Sequence, residues 1–157
     1  ATLFCLHGIP MIYYGTEIAM KGLKTKGDGY LREDFPGGWP GDERDAFTAE
    51  GRTDFENEIF DFVQKLIQYR RSSEPLKKGK TKHFIPDRGT YTLFRMTDQQ
   101  KVMLVLNNNS TEKTVQMERF AECLKNKTAG KDIFSGETIS TSGALTIPAQ
   151  GFRIIEF

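Results

Sequence analysis

The stretch GIPMIYYGTE, residues 8–17, decides the fold class that this sequence predicts. Its apolar and aromatic run, from Ile9 to Tyr14, is opened by Gly8 and Pro10 and closed by Gly15, which predicts one strand followed by a loop. Because polar and apolar residues do not alternate within it, we expect a strand covered on both faces, as in parallel α/β sheets. No second strand of this kind follows, so we expect this strand to be the last of a larger sheet.

The composition is that of an ordinary globular protein, with 38% hydrophobic and 27% charged residues. A net charge of +1 gives no electrostatic basis for binding nucleic acid. No apolar run is long enough to span a membrane. Cys5 and Cys123 lie far apart in apolar surroundings, so we expect two buried free thiols. The sequence holds no CxxC, HExxH or phosphate-binding glycine motif, and we expect no metal site and no cofactor.

Residues 15–53 predict a long loop, and a helix follows it. Aromatic residues and prolines within the loop favour an ordered loop over a disordered one. Thr53 and Glu56 match a T-x-x-E capping box, and apolar residues then recur at helical spacing as far as Arg70. We expect Pro75 to hold Glu74 out of helical geometry, so that the helix ends before it.

From about residue 76 onward, turn-forming residues separate short strand-like runs, which predicts an antiparallel sandwich or barrel. The predicted strands are 79–86, 90–96, 102–107, 113–117, 132–134, 137–140, 144–147 and 151–157. A helical turn is expected within residues 119–125. The predicted division of the chain is therefore into residues 1–75 and residues 76–157.

In order and spacing these motifs resemble the C-terminal end of the α-amylase family of glycoside hydrolases, and in particular its cyclomaltodextrinase and neopullulanase branch. The resemblance is carried by residues 8–17, 32–42 (REDFPGGWPGD), 66–71 (LIQYRR), 102–107 and 132–136 (DIFSG). It implies an α+β fragment. Residues 1–75 would be the last β/α unit of a (β/α)8 barrel, with strand 8, a long loop and helix 8, and residues 76–157 an all-β antiparallel sandwich.

The resemblance also implies a function, the retaining hydrolysis of α-glucans such as starch oligosaccharides, pullulan or cyclodextrins. Members of the family place an Asp and, four residues later, an Arg in this loop to hold sugar hydroxyls beside the cleaved bond, and Asp28 and Arg32 have that spacing. A solvated ion pair is the alternative for these two residues. Tyr30, Phe35 and Trp39 are candidates for stacking on sugar rings, with packing of the loop as the equal alternative.

By the same resemblance, the three catalytic carboxylates of the family belong to barrel strands that would precede residue 1. We therefore predict no catalytic residue in this chain and no glucanase activity of the chain by itself. Acidic residues cluster within residues 17–45. The alternative role for this cluster is to bind Ca²⁺ in the intact protein, although the residues do not form an EF-hand pattern.

Other functions remain open at this point. The main alternative is a carbohydrate-binding or domain-packing β module, for which aromatic residues are available at Phe84, Tyr91, Phe94, Phe134 and Phe152, with core packing as the competing interpretation. An unrelated α+β interaction domain fits the composition but leaves the order of the motifs unexplained. Without barrel neighbours, the strand at residues 9–14 would expose its edges, so we expect residues 1–50 to be poorly ordered or to self-associate. The compartment is open, and the resemblance implies bacterial cytoplasm or periplasm.

Overall fold

The computed structural model describes residues 1–157, which divide into two compact units. The first unit is Ala1–Ile9 together with Arg70–Phe157, and the second is Pro10–Tyr69. The division at residue 75 that the sequence suggests remains a prediction. None of the helices combines the length and the apolar character that crossing a membrane requires.

Eight antiparallel strands form two sheets in the first unit. They are β1 (Lys80–His83), β2 (Thr90–Met96), β3 (Lys101–Asn107), β4 (Lys113–Gln116), β5 (Ala129–Asp132), β6 (Thr138–Ser140), β7 (Ala144–Ile147) and β8 (Phe152–Glu156). The larger sheet has the strand order β1-β2-β3-β8-β5-β6, and β4 pairs with β7 in the smaller one.

The hydrophobic core of this unit lies between the two sheets. Met103 on β3 pairs directly with Phe94 on β2 and with Ile155 on β8, and all three side chains are fully buried. They belong to one cluster with Val115 and Ile147, which come from β4 and β7. Two sheets that close over a shared apolar layer make a sandwich. The predicted antiparallel β-sandwich is therefore confirmed.

The other face of the large sheet is buried as well. Leu104 on β3 is 0% exposed, as is Arg95 on β2. The Arg95 guanidinium donates to the Gly79 carbonyl at 2.9 and 3.3 Å and to the Cys5 carbonyl at 3.3 Å. Two short helices supply these carbonyls, because Cys5 ends α1 (Thr2–Cys5) and Gly79 follows α3 (Glu74–Lys78).

Helix α2 (Asp54–Ser72) begins where the sequence predicts it. The Thr53 hydroxyl accepts from the Glu56 N–H at 3.2 Å, and the Glu56 carboxylate accepts from the Thr53 N–H at 2.8 Å. This reciprocal pair is the predicted capping box. The helix ends at Ser72, but the expectation for Glu74 is wrong, since Glu74 and Pro75 open helix α3. Proline is tolerated in the first turn of a helix, where its missing N–H would have no partner.

The strand predicted for residues 9–14 is wrong, because the structure has no regular element there. Ile9 and Met11 are 97% and 85% exposed. A strand needs a neighbour to hydrogen-bond with, and the eight strands pair only with one another. An apolar pattern alone therefore did not produce a strand.

One strand of the sandwich is displaced from its predicted position. Residues 132–134 were expected to be a strand, but β5 ends at Asp132. The Asp132 carboxylate accepts from the backbone N–H groups of Phe134 and Ser135 at 2.8 and 3.0 Å, which turns the chain. Both cysteines are buried free thiols, as predicted.

Candidate functional site

An open cleft with a volume of 370 Å³ lies in the second unit, beside the first turn of α2. The residues that line it are Ile18, Ala19, Met20, Lys21, Glu33, Asp34, Pro36, Arg44, Thr53, Phe55 and Glu56. The volume is within the range of about 300–1,000 Å³ that is usual for small-molecule sites. The lining includes the charged residues Glu33, Asp34 and Lys21. Such a lining favours a ligand rich in hydroxyl groups over an apolar one.

The predicted sugar-binding residues Asp28 and Arg32 are not among the residues that line this cleft. Asp28 opens a 3-10 helix, Asp28–Leu31, and Arg32 follows that helix. The Lys24 amine donates to the Asp28 carboxylate at 2.6 Å, and both side chains are more than 60% exposed. Asp28 therefore pairs with Lys24, and the structure does not join it to Arg32. An exposed pair of this kind contributes about 0–1 kcal/mol, so a ligand can displace it.

Two of the three candidate stacking residues contact other side chains of the loop. The Tyr30 ring is half exposed, with the Lys26 amine 5.4 Å from its centroid. The Phe35 ring packs on Phe47 with 4.6 Å between the ring centroids. Packing within the loop thus accounts for Phe35, whereas Tyr30 keeps an accessible face.

Trp39 is the third candidate, and it is 73% exposed. Its backbone is fixed, because the Trp39 N–H donates to the Asp42 carboxylate at 3.0 Å and the Asp42 N–H donates to the Trp39 carbonyl at 3.2 Å. Gly38 and Gly41 flank this turn with φ of 97° and 99°. An indole held out on a fixed turn is available for an apolar ligand face.

The later part of the loop is tied to helix α2 by Arg44. Its guanidinium donates to both carboxylate oxygens of Glu56, at 2.6 and 2.9 Å, and to the Gly51 carbonyl at 3.2 Å. Hydrogen bonds from Arg44 and then from Thr53 lower the pKa of Glu56 from its ordinary 4.5 to about 2. Glu56 therefore stays a carboxylate and holds one wall of the cleft in place.

Arg52 makes a second tie within this unit. Its guanidinium donates to the Asn57 side-chain oxygen at 2.8 Å and to the Ala46 carbonyl at 3.1 Å, and it lies 3.9 Å from the centroid of the Phe60 ring. Sequence reasoning missed the roles of both arginines. The only local signal was the capping box, which identifies Glu56 but not its partner.

No group of three or more His, Cys, Asp or Glu side chains in the structure is arranged to hold a metal ion. The chemistry that this arrangement offers is recognition of a polar ligand by hydrogen bonds and ring contacts.

Comparison with known proteins finds a family for the C-terminal part of this chain and relatives for most of its length. Residues 81–156 match the family described as the cyclo-malto-dextrinase C-terminal domain. Alpha-amylase 3 from Dictyoglomus thermophilum is 29% identical over 126 residues, which cover 69% of this chain and 24% of that protein.

Solved structures share the fold along nearly the whole chain. An α-amylase from Anoxybacillus superimposes with a TM-score of 0.73 at 23% identity, covering 99% of this chain and 30% of that one. An α-amylase from Geobacillus thermoleovorans, solved with acarbose, gives a TM-score of 0.72 at 23% identity, with coverage of 99% and 31%. The chain thus spans less than a third of the length of each of these relatives. Residues 81–156 thus belong to the cyclo-malto-dextrinase C-terminal domain family, and over nearly its whole length the chain is similar in fold to α-amylases.

Proposed function

We propose that this chain is the C-terminal part of an α-glucan hydrolase and supplies one substrate-binding loop and the C-terminal β-sandwich. The observation that carries the proposal is the match of residues 81–156 to the cyclo-malto-dextrinase C-terminal domain. The relatives are α-amylases, and one was solved with acarbose. Starch oligosaccharides, pullulan and cyclodextrins are the substrate class, and the reaction is retaining hydrolysis.

Residues 1–75 are, in this proposal, the last β/α unit of a (β/α)8 barrel. Fold similarity to α-amylases over 99% of the chain supports this assignment, as does the capped helix α2 that follows the long loop. The segment at residues 9–14 becomes a strand only when the neighbouring strands of the barrel pair with it.

Asp28 and Arg32 bind sugar hydroxyls in the intact enzyme. Both side chains are exposed, and the pair of Asp28 with Lys24 is weak enough to be exchanged for a ligand. A carboxylate accepts from hydroxyls and a guanidinium donates to them, so together they orient a sugar ring. Tyr30 and Trp39, both exposed in the same loop, supply apolar faces for the sugar ring.

The catalytic residues belong to other parts of the enzyme. Retaining hydrolysis needs two carboxyl groups on opposite sides of the bond that breaks. The carboxylates of this loop bind the ligand, and Arg44 ties the loop to the Glu56 carboxylate of helix α2. By itself the chain binds α-glucan without cleaving it, and it needs no metal or other cofactor.

Fluorescence of Trp39 tests the proposal, because it is the only tryptophan of the chain. Titration with maltoheptaose is expected to change this signal saturably. Asp28→Asn removes the charge that accepts from hydroxyls, and we expect it to weaken binding by about threefold to tenfold. Glu50→Gln, an exposed acid of the same loop, is the matched control and leaves binding unchanged. A flat titration, or equal affinities for all three proteins, contradicts the proposal.

A further inference from the structure

We propose that Tyr14 is a positioning residue of the substrate-binding loop, and that its hydroxyl fixes the part of the loop that carries Arg32. This role rests on the proposed function, in which Arg32 binds sugar hydroxyls. Tyr14 itself needs no contact with the sugar. Both residues belong to the second unit, so the role concerns one compact part of the chain.

A hydrogen bond joins the two ends of the loop. The Tyr14 hydroxyl donates to the Glu33 carbonyl at 3.0 Å, between residues that are 19 positions apart in the sequence. This distance is within the range of an O–H···O hydrogen bond. Tyr14 comes directly before residues 15–32, and Glu33 comes directly after them. The bond therefore closes this part of the loop at its base.

A second contact closes the loop further from its base. The Leu23 N–H donates to the Tyr30 carbonyl at 3.1 Å. Gly22 allows the two segments to approach, because a Cβ at this position would lie 2.6 Å from the Tyr30 carbonyl oxygen and 2.7 Å from the Leu31 Cα. Asp28, the other predicted sugar-binding residue, lies within the segment that this contact encloses.

Arg32 lies between the two closures in the sequence. Its N–H donates to the Gly29 carbonyl at 3.1 Å, at the end of the 3-10 helix Asp28–Leu31. The bond from Tyr14 holds the next residue, Glu33. The backbone of Arg32 is therefore restrained on both sides, which limits where its guanidinium can reach. A group that is held in place before the ligand arrives binds it at a lower entropy cost.

Charged side chains lie near the Tyr14 hydroxyl. Partial burial raises the pKa of this hydroxyl above its ordinary 10, Tyr13 and Asp34 raise it further, and Arg32 acts in the opposite direction. The hydroxyl therefore keeps its proton at neutral pH and remains a hydrogen-bond donor to Glu33. The effects of Arg32 and Asp34 place both charges within electrostatic reach of the hydroxyl that holds the residue between them.

Ring packing accounts for an aromatic side chain at position 14, but not for its hydroxyl. The Tyr14 ring packs on Tyr13 with 4.6 Å between the ring centroids. A phenylalanine would make the same ring contact, whereas only the hydroxyl makes the bond to Glu33. Tyr14→Phe therefore removes the proposed role and keeps the packing.

A double-mutant cycle tests whether the hydroxyl acts through Arg32. We expect Tyr14→Phe to lower the affinity for maltoheptaose, measured by calorimetry, by about threefold to tenfold in the wild-type chain. In an Arg32→Ala chain the same change is expected to alter affinity by less than about twofold. Tyr91→Phe removes a hydroxyl from the other unit and is the matched control, with wild-type affinity.

Two results of this cycle overturn the proposal. One is wild-type affinity in Tyr14→Phe. The other is an equal loss with and without Arg32, because the hydroxyl would then act on the sugar independently of Arg32. The proposed function fails in a different way, since a wild-type chain that does not bind maltoheptaose contradicts that function whatever the variants do.

Hydrogen exchange without sugar tests the restraint itself. Loss of the bond to Glu33 is expected to speed up amide exchange in residues 31–35 of Tyr14→Phe by about threefold or more. Exchange in helix α2 and in the Tyr91→Phe control should stay as in the wild type. Unchanged exchange in residues 31–35 overturns the role of Tyr14, and this result can be read whether or not the chain binds the sugar.

Discussion

At the scale of residues, arginine side chains bonded to fixed acceptors differ from the exposed charges around them. The Arg44 guanidinium donates to both carboxylate oxygens of Glu56, whereas Asp28 has one contact with the exposed Lys24. Bidentate contacts that are partly shielded from water stabilise the folded state, whereas single exposed contacts contribute little to stability. The residues that hold the loop are therefore not those that we expect to bind sugar.

Glu56→Gln removes the charge from the contact with Arg44. We expect the free energy of unfolding of the second unit to fall by about 0.5–1.5 kcal/mol, since a bidentate ion pair becomes a weaker amide contact. Urea unfolding followed by Trp39 fluorescence measures the change. Asp28→Asn is the matched control and shifts stability by less than about 0.5 kcal/mol. Equal losses for the two variants would contradict this account.

Acid weakens the same contact. The pKa of Glu56 is about 2 in the folded protein and 4.5 ordinarily, so the folded state favours the carboxylate. Its contribution to stability is complete above pH 4.5 and is lost as the pH falls towards 2. Glu56→Gln should flatten the dependence of the unfolding midpoint on pH over this range. A variant with the same acid dependence as the wild type would exclude Glu56 as the group responsible.

Arg95 is a buried cation whose bonds go to backbone carbonyls. Arg95→Met leaves the carbonyls of Gly79 and Cys5 without these donors, and we expect a loss of about 2–4 kcal/mol in unfolding free energy. Chemical denaturation followed by circular dichroism gives the value. Arg88→Met, at an 88% exposed side chain, is the control and has little effect. If Arg95→Met is as stable as the wild type, Arg95 does not anchor these segments.

At the scale of elements, local signals predict local structure. Helix α2 begins at the capping box because Thr53 and Glu56 complete it within one turn. The strands of the sandwich are separated by turn residues, whose preference is local and can be recognised in the sequence. One strand lies away from its predicted position, because the Asp132 carboxylate forms a turn earlier in the chain than expected. The contacts of Arg44 and Arg95 were not predictable, because their partners lie far away in the sequence.

The segment at residues 9–14 shows the limit of an apolar pattern. Its residues have the composition of a buried strand, but pairing depends on neighbours that no local signal contains. Ile9 and Met11 remain exposed, together with Tyr13 at 59%. Whether residues 9–14 form a strand therefore depends on which strands surround them.

We expect this exposed segment to promote self-association of the chain. Replacing Ile9 and Met11 by lysine adds charge to the apolar run and should shift the chain towards monomer. Sedimentation velocity over a range of protein concentrations measures the effect. Ile85→Lys replaces an equally apolar side chain that is 84% exposed in the other part of the chain, and it should not change the association. A wild-type chain that stays monomeric at all concentrations contradicts the prediction.

At the scale of the whole molecule, the two units differ in what stabilises them. The first unit has a closed core between two sheets, with Met103, Leu104 and Val105 all at 0% exposure. The second unit depends on polar ties such as those of Arg44 and Arg52. We expect amide hydrogens to exchange most slowly in β3 and much faster in residues 10–42, as measured by mass spectrometry after exchange in D₂O. Uniform protection would contradict this difference.

Binding without cleavage is the behaviour that the proposed function predicts for the whole chain. Incubation with maltoheptaose should release no new reducing ends, because the carboxyl pair of the reaction is not part of the proposed site. The reducing-end assay needs an intact amylase as the positive control. Hydrolysis that depends on pH and is lost in Asp28→Asn would contradict this prediction and show that this chain contains catalytic residues.

The most direct measurement is a calorimetric titration of the chain with maltoheptaose beside cellohexaose, at up to about 10 mM sugar so that a Kd of about 1 mM is still detected. The proposed α-glucan function predicts saturable heat with maltoheptaose and a weaker or absent response to the β-linked sugar. No heat with either sugar, or equal binding of both, would contradict it.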